Sequence, residues 1–271
     1  MVWWLLACGP NPADVAASSA PVDDAATPGV DDTDDLPLDS SGGQGDTADA
    51  RDTAGPSDTG DLAAAQSLVD LPVLFVHGIT GEAANWDVVI DDLVAHGWDP
   101  DLLFAETFDD PEWGCNIDNA ATIERWVDAI RRTTGADQVQ LVAHSMGTLS
   151  SRYYLKNLAD AGVVHNYVTL GGMHQGLQSS CSPDFPFKPC IWTEICTTGP
   201  FVTELGAAPT TPNATHYVSI YGTGDETVPN WSSQLDGAYH IELQGLEHFG
   251  PNGVLEHPEA LDALRYALTW P

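Results

Sequence analysis

The sequence predicts an α/β fold: a mostly parallel central sheet with helices on both faces, preceded by a disordered N-terminal tail. From about residue 67 onwards, short apolar runs alternate with segments of helical periodicity. The same region holds all seven Tyr and all seven Phe of the 271-residue chain. Residues 9–66 consist mainly of Asp, Ala, Ser, Thr, Gly and Pro, and such a composition buries too little apolar surface to offset the entropy of ordering.

We therefore expect a signal remnant over 1–8, an acidic linker over 9–66 and one folded domain over 67–271. The first predicted strand, 71–76, is a continuous apolar run typical of buried parallel strands. A helix is predicted over 116–134, where Ile123 and Val127 share one face and Gly135 provides a favourable C-terminal residue. Further strands are predicted over 138–142, 163–170, 216–221 and 239–243, and further helices over 146–159 and 258–268.

The chain is strongly acidic, with a formal net charge of −32, and residues 1–70 hold fourteen Asp but one Arg. A surface of this sign repels nucleic acid and anionic membranes, so we expect neither as a partner. We interpret the charge as a solvated acidic surface, in keeping with a salty habitat, in preference to a specific cation-binding role. We expect the protein to be a monomer.

The first eight residues, MVWWLLAC, are apolar and end in a Leu-Leu-Ala-Cys sequence that resembles the bacterial lipobox. No Lys or Arg precedes the apolar run, which is shorter than a normal signal segment; a true start codon further upstream would explain both departures. The run is also too short to span a bilayer. We expect an exported lipoprotein that carries lipid on Cys8, with an incidental apolar N-terminus as the alternative.

Four other cysteines, an even number, indicate two disulfides in an exported chain: Cys115, Cys181, Cys190 and Cys196. Their spacing fits no zinc signature. Closure of a short loop favours Cys181–Cys190, which by elimination leaves Cys115–Cys196. Free buried thiols are the alternative.

The segment VAHSMG, residues 142–147, lies between a predicted strand and a predicted helix. A sharp turn that presents a nucleophilic serine needs small residues two positions before and two positions after that serine, and here these are Ala143 and Gly147. Ser145 is therefore the predicted nucleophile. A chance serine in a strand–helix turn is the alternative.

A serine hydroxyl needs a base, and the base needs an acid that orients it. Asp225 follows the strand 216–221 and is the predicted acid, with Glu226 as its near competitor. His248 follows the strand 239–243 and is the predicted base. Two other histidines are less well placed, one inside that strand and one at the start of the final helix: His240 and His257.

Two backbone N–H groups must also stabilise the oxyanion of the tetrahedral intermediate. One is expected from Met146, the residue after the nucleophile. The other is expected from Ile79, because Gly78 lets the chain turn so that the next amide faces the pocket. His77 is expected to form structural hydrogen bonds and to take no part in catalysis.

With these motifs together, the chain resembles the small bacterial triacylglycerol lipases of the lipase class 2 family, within the α/β-hydrolase superfamily. The similar stretches cover most of 72–252 in the family's order: PVLFVHGITG with Asn85-Trp86, VQLVAHSMG, RYYLKNLA, YVTLGGMHQG, YVSIYGTGDETV and GLEHFG. The resemblance implies Ser145, Asp225 and His248 as a catalytic triad. It also implies the amides of Ile79 and Met146 as the oxyanion hole.

We therefore expect a serine carboxylic ester hydrolase that acts on neutral lipid esters and needs no metal ion or organic cofactor. Alternatives are the same machinery acting on short-chain esters, on a polyester or in acyl transfer to an alcohol. A non-catalytic surface-binding protein of this fold is a further alternative. Such a protein would be expected to have a broken triad, whereas this sequence contains all three residues. The cysteine-rich segment 172–215 departs from the smallest family members. We expect it to form a lid or a wall of the acyl-binding site, with a surface loop that has no role in the site as the alternative.

Overall fold

The computed structural model describes residues 67–182 and 189–271. The predictions made for residues 1–66, including the signal remnant, the linker and the lipid anchor at Cys8, lie outside the described residues. No helix within the described ranges is both long enough and apolar enough to cross a membrane.

Six parallel strands form one sheet in the order β2-β1-β3-β4-β5-β6. They are β1 Val73–Val76, β2 Leu103–Glu106, β3 Val139–His144, β4 Val164–Leu170, β5 His216–Gly222 and β6 Tyr239–Leu243. Five of them coincide with predicted strands to within two residues. The prediction missed β2, which lies at the edge of the sheet and is only four residues long.

Seven α-helices that lie wholly within the described residues connect or flank these strands. They are α1 Asp87–Ala95, α2 Asn116–Thr134, α3 Gly147–Asn157, α4 Cys190–Glu194, α5 Pro200–Gly206, α6 Asn230–Ser233 and α7 Pro258–Leu268. The predicted bounds of α2 and α7 are confirmed. Gly135 ends α2 with a left-handed φ of 75° and donates its N–H to the Arg131 carbonyl, because glycine adopts this conformation without the penalty of a Cβ atom.

The two faces of the sheet bury separate sets of side chains, since successive residues of a strand point in opposite directions. In β1, Val73 and Phe75 pack towards α1 and α7. Leu74 and Val76 pack towards α2 and α3 on the other face. The predicted fold, a parallel sheet covered by helices on both sides, is confirmed.

Parallel strands end at the same edge of the sheet, and this edge carries every predicted catalytic segment. The predicted oxyanion loop follows β1, the predicted nucleophile follows β3, and the loops of the predicted acid and base follow β5 and β6. Residues far apart in sequence are therefore brought together by strand order.

Two disulfides are present, but the predicted pairing is wrong. The bridges are Cys115–Cys190 and Cys181–Cys196, with Cα–Cα distances of 5.1 and 4.7 Å. Leu177 pairs with Cys196 in a β-bridge, which brings Cys181 close to Cys196. Cys190 instead opens α4, which packs against α2 directly after Cys115. The packing of the chain therefore determines which cysteines pair, and the small number of residues between Cys181 and Cys190 does not.

The described part of the cysteine-rich segment packs on its own small core. Its side chains surround the start of α3, in a cluster that contains Met146, Leu149, Ile191, Phe201, Val202 and Leu205. The segment thus supports the helix that follows the nucleophile. A lid role for it stays a prediction.

Candidate active site

Ser145 lies at the tip of a strained turn between β3 and α3. Its φ of 53° is left-handed, a conformation that costs a non-glycine residue free energy and is held here by the surrounding structure. A Cβ atom on Gly147 would lie 2.4 Å from the His77 carbonyl oxygen, so glycine is required there. Ala143 is fully buried, which explains why a small residue is needed two positions before the serine.

The structure brings Ser145, Asp225 and His248 together in a hydrogen-bonded chain. His248 Nε2 lies 3.0 Å from Ser145 Oγ, and His248 Nδ1 lies 2.6 Å from Asp225 Oδ2. All three residues are buried. With the carboxylate accepting a hydrogen bond from Nδ1–H, Nε2 is left as an acceptor for the serine hydroxyl.

Asp225 is fixed by the loop that follows β5. Its Oδ1 accepts the backbone N–H groups of Thr227 and Val228 at 2.9 and 2.7 Å. The other carboxylate oxygen is left for His248. Glu226, the competing acid in the sequence, is exposed, and it is Asp225 that contacts the His248 ring.

His77 holds the loop that carries Ile79. Its Nδ1 lies 2.7 Å from the Gly78 carbonyl oxygen, and its Nε2 accepts the Phe108 N–H at 3.1 Å. Burial lowers the pKa of His77 and so favours the neutral ring that this pair of bonds requires. The ring therefore ties the loop after β1 to the loop after β2.

The two predicted oxyanion donors both lie close to Ser145. A Cβ atom on Gly78 would lie 2.8 Å from Ser145 Cβ, so the residue before Ile79 directly approaches the serine. Met146 directly follows Ser145 and lies just before α3. Within the described residues, the N–H groups of Ile79 and Met146 donate to no protein acceptor, which leaves both free for a ligand oxygen.

A cavity of about 130 Å³ opens over Ser145. Its lining combines apolar side chains with small polar groups: Gly78, Ile79, Thr80, Gly81, Asn85, His144, Phe249 and Leu255. Among the described residues, no Lys or Arg belongs to this lining. The cavity suits an uncharged acyl or alcohol group.

The sequence interpretation missed His144, which packs against the predicted base. Its ring centroid lies 4.6 Å from that of His248, and Phe249 contacts both rings. Complete burial lowers the pKa of His144 well below its usual 6.5, and the neighbouring His248 lowers it further. The lowered pKa favours the neutral form of the His144 ring. Its place directly before the nucleophile was the signal that could have identified it.

Arg152 is a buried cation on α3 that points away from the cavity. Its guanidinium donates to the carbonyl oxygens of His174 and Leu205, both at 2.7 Å. Arg152 therefore joins the nucleophile helix to the loop after β4 and to α5. Burial lowers the pKa of His174 well below 6.5, and the charge of Arg152 adds to this effect.

One group in the described residues brings together three side chains of metal-ligating type: Cys115, Cys190 and Glu194. Both sulfur atoms belong to the Cys115–Cys190 disulfide and are not thiolate ligands. The Glu194 carboxylate accepts the Asn116 N–H at 2.5 Å at the start of α2. This group is best explained as part of the α2–α4 contact.

Comparison with protein families gives a match over most of the folded part of the chain. The family model described as Lipase (class 2) matches residues 70–263. This range includes every residue of the site described above, from the loop after β1 to Leu255.

Solved structures with the same fold include lipases from bacteria and fungi. The mature Bacillus licheniformis lipase BlEst2 is 18% identical, with 74% of this chain and 93% of that chain covered and a TM-score of 0.61. Aspergillus fumigatus lipase B is 15% identical, with 74% and 53% covered and a TM-score of 0.60. Phospholipase PlaB from Legionella pneumophila is 14% identical, with 73% and 60% covered and a TM-score of 0.60. At these identities the likeness establishes the fold alone.

Proposed function

This chain belongs to the class 2 lipase family and is a lipolytic hydrolase, and from that premise we propose that it cleaves carboxylic esters through Ser145, Asp225 and His248. The observation that carries the proposal is the continuous hydrogen-bonded chain from the serine hydroxyl to the buried carboxylate. This arrangement makes an otherwise weak hydroxyl nucleophile reactive.

In the proposed reaction, His248 Nε2 takes the hydroxyl proton as Ser145 Oγ attacks the ester carbonyl carbon. The Asp225 carboxylate stabilises the imidazolium that forms and keeps the ring in the required orientation. The tetrahedral intermediate collapses when the alcohol leaves with a proton from His248. Water, activated by the same nitrogen, then releases the carboxylic acid from the acyl-enzyme.

The unpaired N–H groups of Ile79 and Met146 are the proposed donors to the oxyanion. Donors that are fixed before the reaction begins need no reorganisation as negative charge develops, and removal of one such donor costs about 10² to 10³ in turnover. His77 contributes indirectly, because it fixes the loop that presents Ile79.

Neutral lipid esters are the proposed substrates. Ile79, Phe249 and Leu255 give the cavity an apolar lining, and the acidity of the chain disfavours anionic ligands. The same site chemistry would serve short-chain esters, a polyester or transfer of the acyl group to an alcohol. Hydrolysis of p-nitrophenyl esters of increasing chain length distinguishes among the acyl lengths.

We also propose that the protein is exported. Its two disulfides are consistent with an oxidising compartment. Attachment to lipid through Cys8 remains a proposal from the sequence, and intact-mass analysis of the protein extracted from its host tests it.

Replacement of the nucleophile tests the proposed mechanism. Ser145→Ala should fold normally and lose about 10⁴-fold or more of its turnover of p-nitrophenyl butyrate, because triad residues act as a unit. An organophosphonate should label Ser145 in the native protein. Ester hydrolysis near the native rate by Ser145→Ala, or labelling at another residue, would show the assignment to be wrong.

A further inference from the structure

Three large apolar side chains are exposed around the Cys115–Cys190 disulfide. Trp113 precedes Cys115 by two residues, Ile117 follows Cys115 by two, and Trp192 follows Cys190 by two. Their exposed fractions are 50%, 43% and 38%. Since consecutive Cα atoms are about 3.8 Å apart, the Cα atom of each of these residues lies within about 7.6 Å of the Cα atom of a disulfide-bonded cysteine. We call these three side chains the disulfide patch.

The backbone that carries the disulfide patch is fixed by a disulfide and two hydrogen bonds. The bridge joins the start of α2 to the start of α4, and the Glu194 carboxylate ties the same two helices through the Asn116 N–H. The Trp113 N–H donates to Asp110 Oδ1 at 3.0 Å, which fixes the loop before the bridge. Exposed apolar side chains held this firmly form a preorganised contact surface.

The disulfide patch is also close to the candidate active site. The Thr80 N–H donates to the Pro111 carbonyl oxygen at 2.8 Å, so the loop that carries Trp113 is bonded directly to the proposed oxyanion loop. Thr80 lines the cavity over Ser145, and so does Phe249, which is 61% exposed. The patch and the cavity mouth thus belong to one end of the molecule.

The charges around the patch decide what can bind there. Four exposed carboxylates flank it in sequence: Asp109, Asp110, Glu112 and Asp118. They repel anionic lipid headgroups, whereas an uncharged or zwitterionic surface carries no opposing net charge. Aromatic side chains such as Trp113 and Trp192 are also the type that lies stably at a boundary between water and hydrocarbon.

We propose that the disulfide patch docks the protein on an uncharged lipid surface and presents the cavity over Ser145 to the esters in that surface. This inference rests on the proposed function, because it assigns a lipid aggregate as the source of substrate. Docking and ester cleavage are separable, since the patch residues do not line the cavity.

The test compares Trp113→Ser/Trp192→Ser with a matched control, Tyr239→Ser/Tyr266→Ser. The control also removes two exposed aromatic rings, but these contact Trp270 near the amino end of β6, away from the catalytic edge. All variants are prepared in the Ser145→Ala background for binding to phosphatidylcholine vesicles and in the native background for activity. Circular dichroism and melting temperature verify their folding.

The patch variant should bind phosphatidylcholine vesicles about tenfold or more weakly, because two buried aromatic contacts are lost. Its turnover of a dilute triolein emulsion should fall by about the same factor. Its kcat/KM for dissolved p-nitrophenyl acetate should stay within about twofold of native. The control should match the native protein throughout, and Trp113→Phe/Trp192→Phe should restore binding.

Equal vesicle binding by the patch and control variants would overturn the docking inference while leaving ester hydrolysis intact. Absence of hydrolysis of the dissolved ester by native protein would instead refute the proposed function. Tighter binding to phosphatidylglycerol than to phosphatidylcholine vesicles would contradict the charge argument. A native dimer in sedimentation that the patch variant loses would assign the patch to self-association, and the inference would then be wrong.

Discussion

Replacement of Asp225 by Asn should invert the protonation pattern of the candidate triad without disturbing the loop. Asp225 Oδ1 accepts two backbone N–H groups, so the atom at that position must remain an oxygen in the variant, and the new amide nitrogen takes the place of Oδ2. That nitrogen then donates to His248 Nδ1, which lies 2.6 Å from Oδ2 in the native protein. The ring proton moves to Nε2, where it blocks acceptance of the Ser145 proton.

The expected loss follows from this change of tautomer. A triad histidine held in the wrong tautomer loses about 10⁴ in kcat. At about 1.36 kcal/mol for each factor of ten, this corresponds to about 5 kcal/mol of activation free energy. The melting temperature should change little, because both backbone hydrogen bonds to the loop are retained.

Glu226→Gln is the matched control, since it makes the same chemical change one residue along on an exposed side chain. Its kcat/KM for p-nitrophenyl butyrate should stay within about twofold of native. Steady-state kinetics on both purified variants at one pH and salt concentration provide the measurement. If Asp225→Asn keeps activity within tenfold of native, or if Glu226→Gln loses as much as Asp225→Asn, the assignment of the acid is wrong.

Three further predictions concern the surroundings of the site. Gly171→Ala should lower kcat about tenfold or more, because the new Cβ would lie 3.1 Å from His248 Nδ1. Gly162→Ala, equally left-handed but without a neighbour within 4 Å, should lose stability alone, and kinetics with thermal melts separate the two. Burial keeps His144 and His174 neutral in the native state, so the unfolded chain binds more protons below about pH 6.5. As the pH is lowered below about 6.5, the free energy of unfolding should therefore decrease by up to about 1.4 kcal/mol per pH unit for each histidine. Urea melts of His174→Gln should show a smaller decrease with pH. A neutral ester should have a higher kcat/KM than its carboxylate analogue at low salt, with a smaller difference at high salt; preference for the anionic ester would reveal a cationic subsite.

The sequence was sufficient to predict the features that depend on local pattern. Apolar runs predicted five of the six strands, and the small residues around Ser145 predicted the turn that the structure contains. The order of strands predicted that the loops carrying Asp225 and His248 meet at one edge of the sheet, and the structure brings these two side chains within hydrogen-bonding distance. The missed strand β2 is short, lies at the edge and is only partly buried, so its pattern is weak.

Features that depend on tertiary contacts could not be predicted in this way. The disulfide pairing follows from the packing of α4 against α2, and no spacing between cysteines encodes that contact. The contact between the His144 and His248 rings likewise requires the loop after β6 to come close to the end of β3.

The acidity of the chain and the chemistry of its candidate site operate over different distances. A net charge of −32 acts mainly outside the protein, where salt screens it beyond about 10 Å. The Asp225 carboxylate is instead stabilised by donors in direct contact, namely two backbone N–H groups and the His248 ring. These hydrogen bonds fix the orientation of the carboxylate towards the ring. In the proposed function, the surface charge therefore influences which esters approach, whereas the local donors orient the groups that would cleave the ester bond.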